Sequence, residues 1–479
     1  MYQLPQHISK DKIFIVKKSE IEGRLEPDFY KPSIATLEQK ICSLSSKRLR
    51  SYAQSFAGGA TPSKRESEKY YSDSETGIPF LRVQNLQTTG ELLLDGCIYI
   101  NEDTHKGLLK RSQVSEGDLL VKITGVGRMA IASVAPKDFV GNTNQHMVVI
   151  KTGNSAVSKY LAHYLNLDII EKIASRHSTG GTRPALDYPS LKNIPIIEGL
   201  DFSIIDNAIK AKQAKEAEAQ QLLDSIDSYI LKELGITLPN LKAELNDRVF
   251  YVNYSELSNR LDPYYSLKYF QQSFEAIHLG KYPIVSLKKL TTLITSGITP
   301  KSGGDAYVDD RLNGIPFIRS GNINIDGELD FNDLLYIRPN IHNTIMKSSQ
   351  VRKNDLMIAI VGATIGQVGI YVFDNEANIN QAIALVRLKD GINVEYVKEL
   401  IKSSIGQLSL NRLKRPVARA NINLEEIATI QVVLPPFEVQ QKIATQIQSI
   451  RQQAKALQAE GEAILEDAKR KVEQMIIGE

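Results

Sequence analysis

The chain contains an internal repeat, which constrains its fold more than any other feature of the sequence. The block Ile78–Asn85 (IPFLRVQN) returns at Ile315–Asn322 (IPFIRSGN), an offset of 237 residues in a chain of 479. The other blocks that keep nearly this register are Gly59–Pro62 with Gly297–Pro300, Gly117–Leu120 with Asn354–Met357, Asn144–Gln145 with Asn380–Gln381, and Arg24–Pro27 with Arg260–Pro263. Two tandem copies that differ mainly between the shared blocks predict a molecule that makes one kind of contact twice.

The bulk composition is that of a globular protein, and a net charge of +3 neither requires nor forbids a nucleic-acid partner, since local basic patches matter more. Cys42 and Cys97 lack the spacing of a metal site, and the first residues lack the apolar run of a signal peptide. These features predict a cytoplasmic protein with reduced, buried thiols. The uncharged stretch Leu356–Phe373 is predicted to form two buried strands and not a membrane helix, because it holds three glycines and many β-branched residues.

The order of predicted elements is the same in both copies. Short β-like runs bounded by Gly, Asn or Asp are Ile78–Val83, Cys97–Ile100, Leu119–Ile123 and Met147–Ile150. An apolar helix follows near Tyr160–Ile173 or Val394–Ile405, and each copy closes on a strand, Asn193–Ile197 or Thr429–Leu434. The predicted fold class is α+β: two tandem globular domains of mixed α/β character, separated by a pair of long antiparallel coiled-coil helices and related by a pseudo-two-fold axis. The predicted boundaries are 1–200, 201–235, 236–435 and 436–479.

Long helices are predicted after each copy, at Asp201–Leu234 and Phe437–Ile477, because both stretches are rich in Ala, Gln, Lys and Glu. Apolar residues recur there in alternating steps of three and four, which is typical of a narrow coiled-coil seam. The predicted seam residues are Ile205, Ile209, Leu223, Ile226, Ile230, Ile443, Ile447, Ile450, Leu457 and Ile464. Two arrangements stay open: antiparallel packing within one chain, which the repeat favours, or pairing with a second molecule.

Several motifs resemble enzyme sites without completing one. Gly125–Ala130 has the glycine spacing of a dinucleotide loop, but the following Ile131–Pro136 predicts a strand where that loop needs a helix, so a β-turn is predicted. Asp262–Tyr265 lacks the second proline of the acidic-Pro-Pro-aromatic motif of amino-methyltransferases. The seven histidines show no metal-ligand spacing, and no acid, base or nucleophile set recurs in both copies. The chain is therefore predicted to be non-catalytic, with no metal or cofactor of its own.

The order of the shared blocks resembles that of the DNA-specificity (S) subunit of type I restriction–modification enzymes, over essentially the whole chain. The blocks that carry this resemblance are Gly59–Pro62, Ile78–Arg82, Gly117–Leu120, Gly362–Gly366, Asn380–Gln381, Pro435–Pro436 and Glu438–Ala444. The first copy departs from the pattern at Thr124–Gly127, where the second has the Gly-Ala-Thr-Ile-Gly turn.

The resemblance implies two target-recognition domains that flank an antiparallel helical spacer, each reading one half of a bipartite site in double-stranded DNA. It also implies that two DNA methyltransferase (modification) subunits carrying S-adenosylmethionine dock on the helices, that restriction subunits using ATP and Mg²⁺ can join, and that no membrane is involved. A helix of about 30 residues spans roughly 45 Å, and DNA-reading dimers place half-sites about 34–36 Å apart. We therefore predict an asymmetric target whose unread gap is set by helix length.

The candidate DNA-binding residues are side chains that suit base edges or phosphates. The first set is Arg82, Gln84, Asn85, Lys122, Arg128 and Arg183 in copy one, with Arg319, Asn322, Gln367, Arg415 and Arg419 in copy two. Residues kept in both copies, such as Arg82 with Arg319, are better explained as scaffold. Base readers are expected where the copies differ, and these candidates are Lys64, Arg65, Lys110, Arg111, Lys301, Arg311, Arg338 and Lys347.

Two other functions remain open on the sequence. A stand-alone adenine DNA methyltransferase would bind S-adenosylmethionine as an isolated chain, although the motifs for this are missing. A two-headed protein-interaction scaffold would show no affinity for duplex DNA at low salt, even with its partners present.

Overall fold

The computed structural model describes residues 9, 11–45, 47–239, 251–252, 262–301, 304–309, 312–414 and 421–478. By their contacts, these residues divide into two compact units. Unit 1 comprises 1–216 and 458–479, and unit 2 comprises 217–457. Both divisions fall inside the long helices, so each unit contains the first part of one long helix and the last part of the other. The domain boundaries predicted above follow the helix ends and stay a prediction.

Unit 1 contains short helices, short strands and the start of a long helix. The helices are α1 (Pro32–Leu44), α2 (Ser67–Tyr70), α3 (Glu102–Lys106), α4 (Ser155–Leu165), α5 (Asp168–Arg176), α6 (Tyr188–Asn193) and α7 (Ser203–Leu234), the last of which continues into unit 2. The strands are β1 (Lys47–Arg48), β2 (Ser55–Gly58), β3 (Tyr71–Ser72), β4 (Ile78–Leu81), β5 (Ile98–Ile100), β6 (Gln113–Ser115), β7 (Leu119–Lys122), β8 (Ala132–Val134), β9 (Val140–Thr143), β10 (Met147–Lys151) and β11 (Pro195–Ile196).

The described residues of unit 2 repeat this order of elements, except that they contain no counterpart of α2. The helices are α8 (Lys268–His278), α9 (Pro339–Asn343), α10 (Val394–Lys402), α11 (Ser404–Leu413), α12 (Leu424–Ala428) and α13 (Phe437–Ile477), the last of which continues into unit 1. The strands are β12 (Ile284–Ser286), β13 (Thr291–Ser296), β14 (Tyr307–Val308), β15 (Ile315–Ile318), β16 (Leu335–Ile337), β17 (Gln350–Val351), β18 (Leu356–Ala359), β19 (Val368–Ile370), β20 (Ala377–Ile379), β21 (Ile383–Leu388) and β22 (Gln431–Val433).

The sheets of the two units have the same topology. An antiparallel sheet has the order β2-β10-β7-β8 in unit 1 and β13-β21-β18-β19 in unit 2. A mixed sheet has the order β3-β5-β4-β9-β6 or β14-β16-β15-β20-β17, in which β4 with β9 and β15 with β20 are the parallel pairs. The first and last strands of each copy also pair, β1 with β11 and β12 with β22. The predicted α+β class with two mixed domains is confirmed.

The predicted strands around the glycine motifs are present. Leu356–Phe373 forms the antiparallel pair β18 and β19, and the residues of both strands are buried, with α10 packed against β19. Gly125 and Gly127 lie in the connection from β7 to β8 with φ of 120° and 80°, values that favour glycine. The motif therefore leads into a strand and not into a helix, as predicted; residues 125–127 form bends, and the β-turn itself stays a prediction. Cys42 and Cys97 are unpaired thiols, but they are half-buried and not fully buried as predicted.

The predicted apolar helix of each copy is two helices and not one. In unit 1 the break between α4 and α5 comes at Asn166–Leu167, where the Asn166 amide pairs with both backbone groups of Ala132 at 2.7 and 3.1 Å. In unit 2 the break comes at Ser403, and Gly406 follows so closely that an added Cβ would lie 2.3 Å from Ile401 Cα. Each break depends on a contact with a residue outside the helix that follows it. The periodicity of apolar residues therefore could not predict either break.

The end of each long helix packs in the core of the other copy's unit. In unit 1, Leu465 and Val472 of α13 are buried with Ile205 and Ile209 of α7. The two segments run antiparallel, since Lys212 pairs with Glu462 and Lys215 pairs with Glu460. In unit 2, Ile226 and Ile230 of α7 share a core with Ile443, Ile447 and Ile450 of α13.

The predicted seam residues divide by burial. Those that are buried are Ile205, Ile209, Ile226, Ile230, Ile443, Ile447 and Ile450, and those that are half-buried are Leu223, Leu457 and Ile464. Leu465, Val472 and Ile476 are also buried but are not among the predicted seam residues. After Gly461 the buried face of α13 therefore includes Leu465 and Val472, one residue after the predicted positions, beside Ala468, which keeps the heptad spacing from Gly461.

Candidate nucleic-acid interface

Several loops of unit 1 meet at one edge of its antiparallel sheet. Gly58 at the end of β2 pairs with Val148, and Lys122 at the end of β7 pairs with Met147 at the start of β10. The segments that leave this edge are 59–65, 123–131 and 144–146, and Thr124 is bridged to Ala185 of the loop 179–186. We call these loops the loop edge of unit 1. The loop edge of unit 2 consists of 297–301, 360–367 and 380–382, with Val361 bridged to Asn421.

A glycine contact fixes the first loop against the sheet in each unit. A Cβ added to Gly59 would lie 1.9 Å from the carbonyl oxygen of Thr143, and one added to Gly297 would lie 1.7 Å from that of Ile379. No other residue type fits this close approach without moving the backbone. The loop consequently brings a threonine to the Asn-Gln segment: Thr61 Oγ1 donates to Gln145 Oε1, and Thr299 Oγ1 donates to Gln381 Oε1. All four side chains are exposed.

Two of the candidate residues in each unit are used inside the fold. The Asn85 side chain is 1% exposed; its Oδ1 accepts from the Arg82 amide at 2.8 Å and its Nδ2 donates to Leu93 O at 2.7 Å. Asn322 makes the matching bonds with Arg319 and Asp330 at 2.9 and 3.1 Å. The Arg82 guanidinium donates to Gly96 O. These side chains hold the turn after β4 or β15, as expected of residues kept in both copies.

Two further candidates, Lys122 and Arg128, hold the turn between β7 and β8. The Lys122 side chain is 3% exposed and its Nζ donates to Val126 O at 2.8 Å. Burial lowers the pKa of Lys122, against a smaller opposite effect of Glu171. Arg128 pairs with Asp168 and donates to Asn166 O, so its guanidinium joins the turn to the break between α4 and α5.

The remaining candidates are mostly at the surface. Those that are exposed are Lys64, Arg65, Gln84, Lys110, Arg111 and Arg183 in unit 1, and Lys301, Arg338 and Lys347 in unit 2. Gln367 is half-buried, and its Oε1 has no hydrogen-bond partner among the described residues. Arg311, Arg415 and Arg419 lie outside the described residues.

Several exposed cations without carboxylate partners lie in or beside the loop edges. Among the candidate residues that the structure describes, the exposed cations with no such partner are Lys64, Arg65, Lys110, Arg111, Arg183, Lys301, Arg338 and Lys347. Arg111 Nη2 reaches Gly58 O at 3.4 Å, at the end of β2 itself. Some lysines on the long helices are paired, as Lys212 is with Glu462 and Lys442 with Glu233. Unpaired cations beside exposed amides form a surface suited to a polyanion.

Sequence reasoning missed several residues of these edges. Thr61 with Gln145 and Thr299 with Gln381 were noticed only as parts of repeated blocks, and the repeat could not reveal that the blocks touch. Lys192 also belongs here: its Nζ lies 4.9 Å from the centre of the Phe56 ring on β2. In the described part of the chain, no group of three or more His, Cys, Asp or Glu side chains could hold a metal ion. None of the described helices is long and apolar enough to cross a bilayer.

Comparison with known proteins identifies the family. The type I restriction modification DNA specificity domain matches residues 46–197 and 280–465. The EcoBI specificity subunit of a type I restriction enzyme of Escherichia coli is 36% identical over 143 residues, which cover 30% of each chain. The EcoKI specificity subunit of E. coli K12 is 24% identical over 198 residues, covering 40% of this chain and 41% of that protein. The aligned part therefore spans less than half the length of either relative.

A solved structure of a type I R-M system contains a chain that aligns with 17% identity and a TM-score of 0.44, over 90% of this chain and 96% of that one. The two separate matches to the specificity domain cover most of the chain, one in each copy of the repeat. The resemblance that the repeated blocks carry is thereby confirmed. The chain belongs to the type I restriction modification DNA specificity domain family.

Proposed function

We propose that this chain is the non-catalytic DNA-specificity subunit of a type I restriction–modification complex. Unit 1 reads one half of a bipartite, asymmetric target in double-stranded DNA, and unit 2 reads the other half. The observation that carries this proposal is that one scaffold occurs twice, with different exposed residues at its two loop edges. The same glycine contact and Thr–Gln bond recur in both units, whereas the cations differ: Lys64 and Arg65 follow the loop in unit 1, and Lys301 follows it in unit 2.

Residues that differ at matched edges are the best candidates for telling one half-site from the other, because two identical readers would select a symmetric target. The proposed contacts are Lys64, Arg65, Gln84, Lys110, Arg111 and Arg183 in unit 1, and Lys301, Arg338, Lys347 and Gln367 in unit 2. Asn85, Asn322 and Lys122 are left out because their side chains are buried. Arg82, Arg319 and Arg128 are left out because they brace turns.

Two methyltransferase subunits and, in a larger complex, restriction subunits are the proposed partners. In this arrangement S-adenosylmethionine and ATP with Mg²⁺ bind to the partners and not to this chain. The exposed faces of α7 and α13 are the proposed docking surface. We also propose that the lengths of these helices, 32 and 41 residues, set the unread gap in the target. Lengthening both by the same few residues should change that gap, and an unchanged gap in methylation mapping would refute the idea.

The main test is binding by the complex of the full chain with its methyltransferase partners, measured by fluorescence anisotropy on target and unrelated duplexes over a range of salt. Lys64→Ala with Arg65→Ala should weaken binding. For every phosphate that the variant no longer neutralises, the slope of log affinity against log salt should become shallower by about 0.9. Matched changes at paired cations, Lys106→Ala and Lys471→Ala, should leave the slope unaltered, since each already has a carboxylate partner.

Methylation mapping then tests whether each unit reads its own half-site. Changes at Lys110 and Arg111 should relax the sequence of one half-site, and changes at Lys301 and Lys347 should relax the other. If the wild-type complex bound no duplex at low salt, the proposed function would be wrong.

A further inference from the structure

We infer that Gln145 and Gln381 donate from their side-chain amides to the DNA backbone, one in each half-site, and that Thr61 and Thr299 position them. This inference rests on the proposed function and assigns to the shared residues a different task from that of the divergent cations. The threonines are positioning residues, because each acts through its glutamine.

The two pairs are exposed and yet are kept in both copies. An exposed glutamine adds little to the stability of a fold, and substitutions at such positions usually change stability by less than about 0.5 kcal/mol. The shared block ends at the glutamines, since His146 follows the first and Ala382 follows the second. A side chain that contributes little to packing, but recurs on the same loop, is better explained by a shared ligand.

The hydrogen bonds give the amide a direction. In both units the threonine hydroxyl donates to the glutamine Oε1, so the NH₂ group is the end that remains for a ligand. In unit 1, Nε2 of Gln145 lies 3.3 Å from Nε2 of His146, which engages one of its two hydrogens. In unit 2, Nε2 of Gln381 has no hydrogen-bond partner among the described residues. The available groups are donors, and phosphate oxygens are acceptors only.

The backbone is the part of DNA that both half-sites have in common. Two units that read different half-sites need not meet the same base at matched positions, but both meet the same phosphate backbone, where a contact fixes register and orientation. The surroundings suit an anion, since Arg111 lies at the end of β2 in unit 1 and Lys301 follows the matched loop in unit 2. The rigid approach of Gly59 and Gly297 to the sheet keeps each amide in place before DNA arrives.

The test uses the full complex and compares Gln145→Ala and Gln381→Ala on target and unrelated duplexes. Each change should weaken binding to both duplexes by a similar factor, roughly tenfold for one hydrogen bond to a charged acceptor. The salt slope should stay the same because a neutral amide releases no counterion. Gln39→Ala and Gln272→Ala, at exposed glutamines on the equivalent helices α1 and α8, are the matched controls and should bind as wild type does.

Two further variants separate a DNA contact from a folding defect. Gln145→Glu keeps an acceptor for Thr61 but places a carboxylate beside the phosphate, so it should weaken binding more than Gln145→Ala does. Thr61→Ser should retain wild-type affinity, whereas Thr61→Val should lose part of it. Unchanged affinity of both alanine variants, or a loss confined to the target duplex, would overturn the inference. Either result requires a wild-type complex that binds DNA, so it leaves the proposed function standing.

Discussion

In unit 1, helix α4 contacts α7 through His163 and Asp206, whose Nε2 and Oδ1 atoms are 3.0 Å apart. In unit 2, the matched helix α10 contacts α13 through Glu399 and Arg451, which form two hydrogen bonds of 2.8 and 3.2 Å. His163 and Glu399 occupy the same place in the repeat and are 5% and 3% exposed. The acidic residue of the contact thus lies on the long helix in unit 1 and on the domain helix in unit 2. The fold requires a polar contact at this point, but not a particular pair of residues.

A second contact between each domain and its following helix shows the same relation. Glu91 accepts from Gln213 Nε2 at 2.8 and 3.1 Å in unit 1, whereas the matched Glu328 lies 3.8 Å from Lys455 Nζ in unit 2. In the first contact, between Glu399 and Arg451, burial is the largest influence and would raise the pKa of Glu399. Hydrogen bonds and charge from Arg451, together with the charges of nearby lysines, lower that pKa overall. Both contacts occur at the same positions in the two units, whereas the residue types that form them differ.

The division of the long helices between units gives the largest expected effect. Leu465→Ala removes a fully buried side chain from unit 1 although it lies after the second copy, and Ile230→Ala does the reverse for unit 2. Each should cost about 2–5 kcal/mol of unfolding free energy. Hydrogen–deuterium exchange should become faster in β7 and β10 in the first variant, and in β18 and β21 in the second. Loosening in the opposite unit would contradict this assignment.

The matched glycine contacts provide the next largest effect. Gly59→Ala and Gly297→Ala each press a Cβ against a backbone carbonyl, so about 1–3 kcal/mol of destabilisation is expected from overpacking. Gly181→Ala and Gly321→Ala are the controls, because an added Cβ there meets no atom within 4 Å. Urea unfolding followed by exchange in each unit measures the four variants. If the controls were as damaging as the first pair, close approach would not be the cause.

Loss of a helix cap should have a smaller effect. In each unit the capping carboxylate comes from the long helix that follows the other copy of the repeat. Glu473 of α13 accepts from the Ile169 amide at 3.2 Å at the start of α5, and Asp227 of α7 accepts from the Ser404 amide at 2.7 Å at the start of α11. Replacing either carboxylate by alanine should cost about 0.5–2 kcal/mol, as for other N-cap substitutions. Faster exchange should be confined to α5 for Glu473→Ala and to α11 for Asp227→Ala. Glu218→Ala, at an exposed position of α7, is the control.

The smallest effect should be a difference in pH dependence. Burial lowers the pKa of His163 below its ordinary 6.5, against opposing effects of Asp206 and Glu91 and with a minor contribution of the same sign from Lys159. The unfolded chain then binds this proton more readily, so unit 1 should lose stability as pH falls from 6.5 toward the lowered pKa. In unit 2 the lowered pKa of Glu399 keeps its carboxylate ionised throughout that window. Urea unfolding of each unit at several pH values should reveal the difference, and His163→Gln should remove it.

Much of the fold could be predicted from the repeat and from local patterns. Two copies, the strand pair within Leu356–Phe373, the strand that follows Gly125–Ala130 and both long helices follow from periodicity, glycine placement and the absence of proline, which act over neighbouring residues. The break between α4 and α5 could not be predicted, because it depends on the amide of Asn166 pairing with Ala132 from another strand. Periodicity carries no record of such a partner.

The candidate site divides in the same way. Sequence alone identified residue types suited to DNA, and it marked Arg82 and Arg319 as scaffold because both copies keep them. Only the tertiary structure decided that Asn85 is buried while Lys64 is exposed, since exposure depends on what packs over a side chain.

Sequence by itself determined that one scaffold is used twice and that a long helix follows each copy, because repetition and helix propensity are properties of the chain. Only the tertiary structure decided which residues of those helices support which unit, and that Thr61 meets Gln145. These contacts join residues far apart in sequence, and closing such distances depends on the packing of the whole unit.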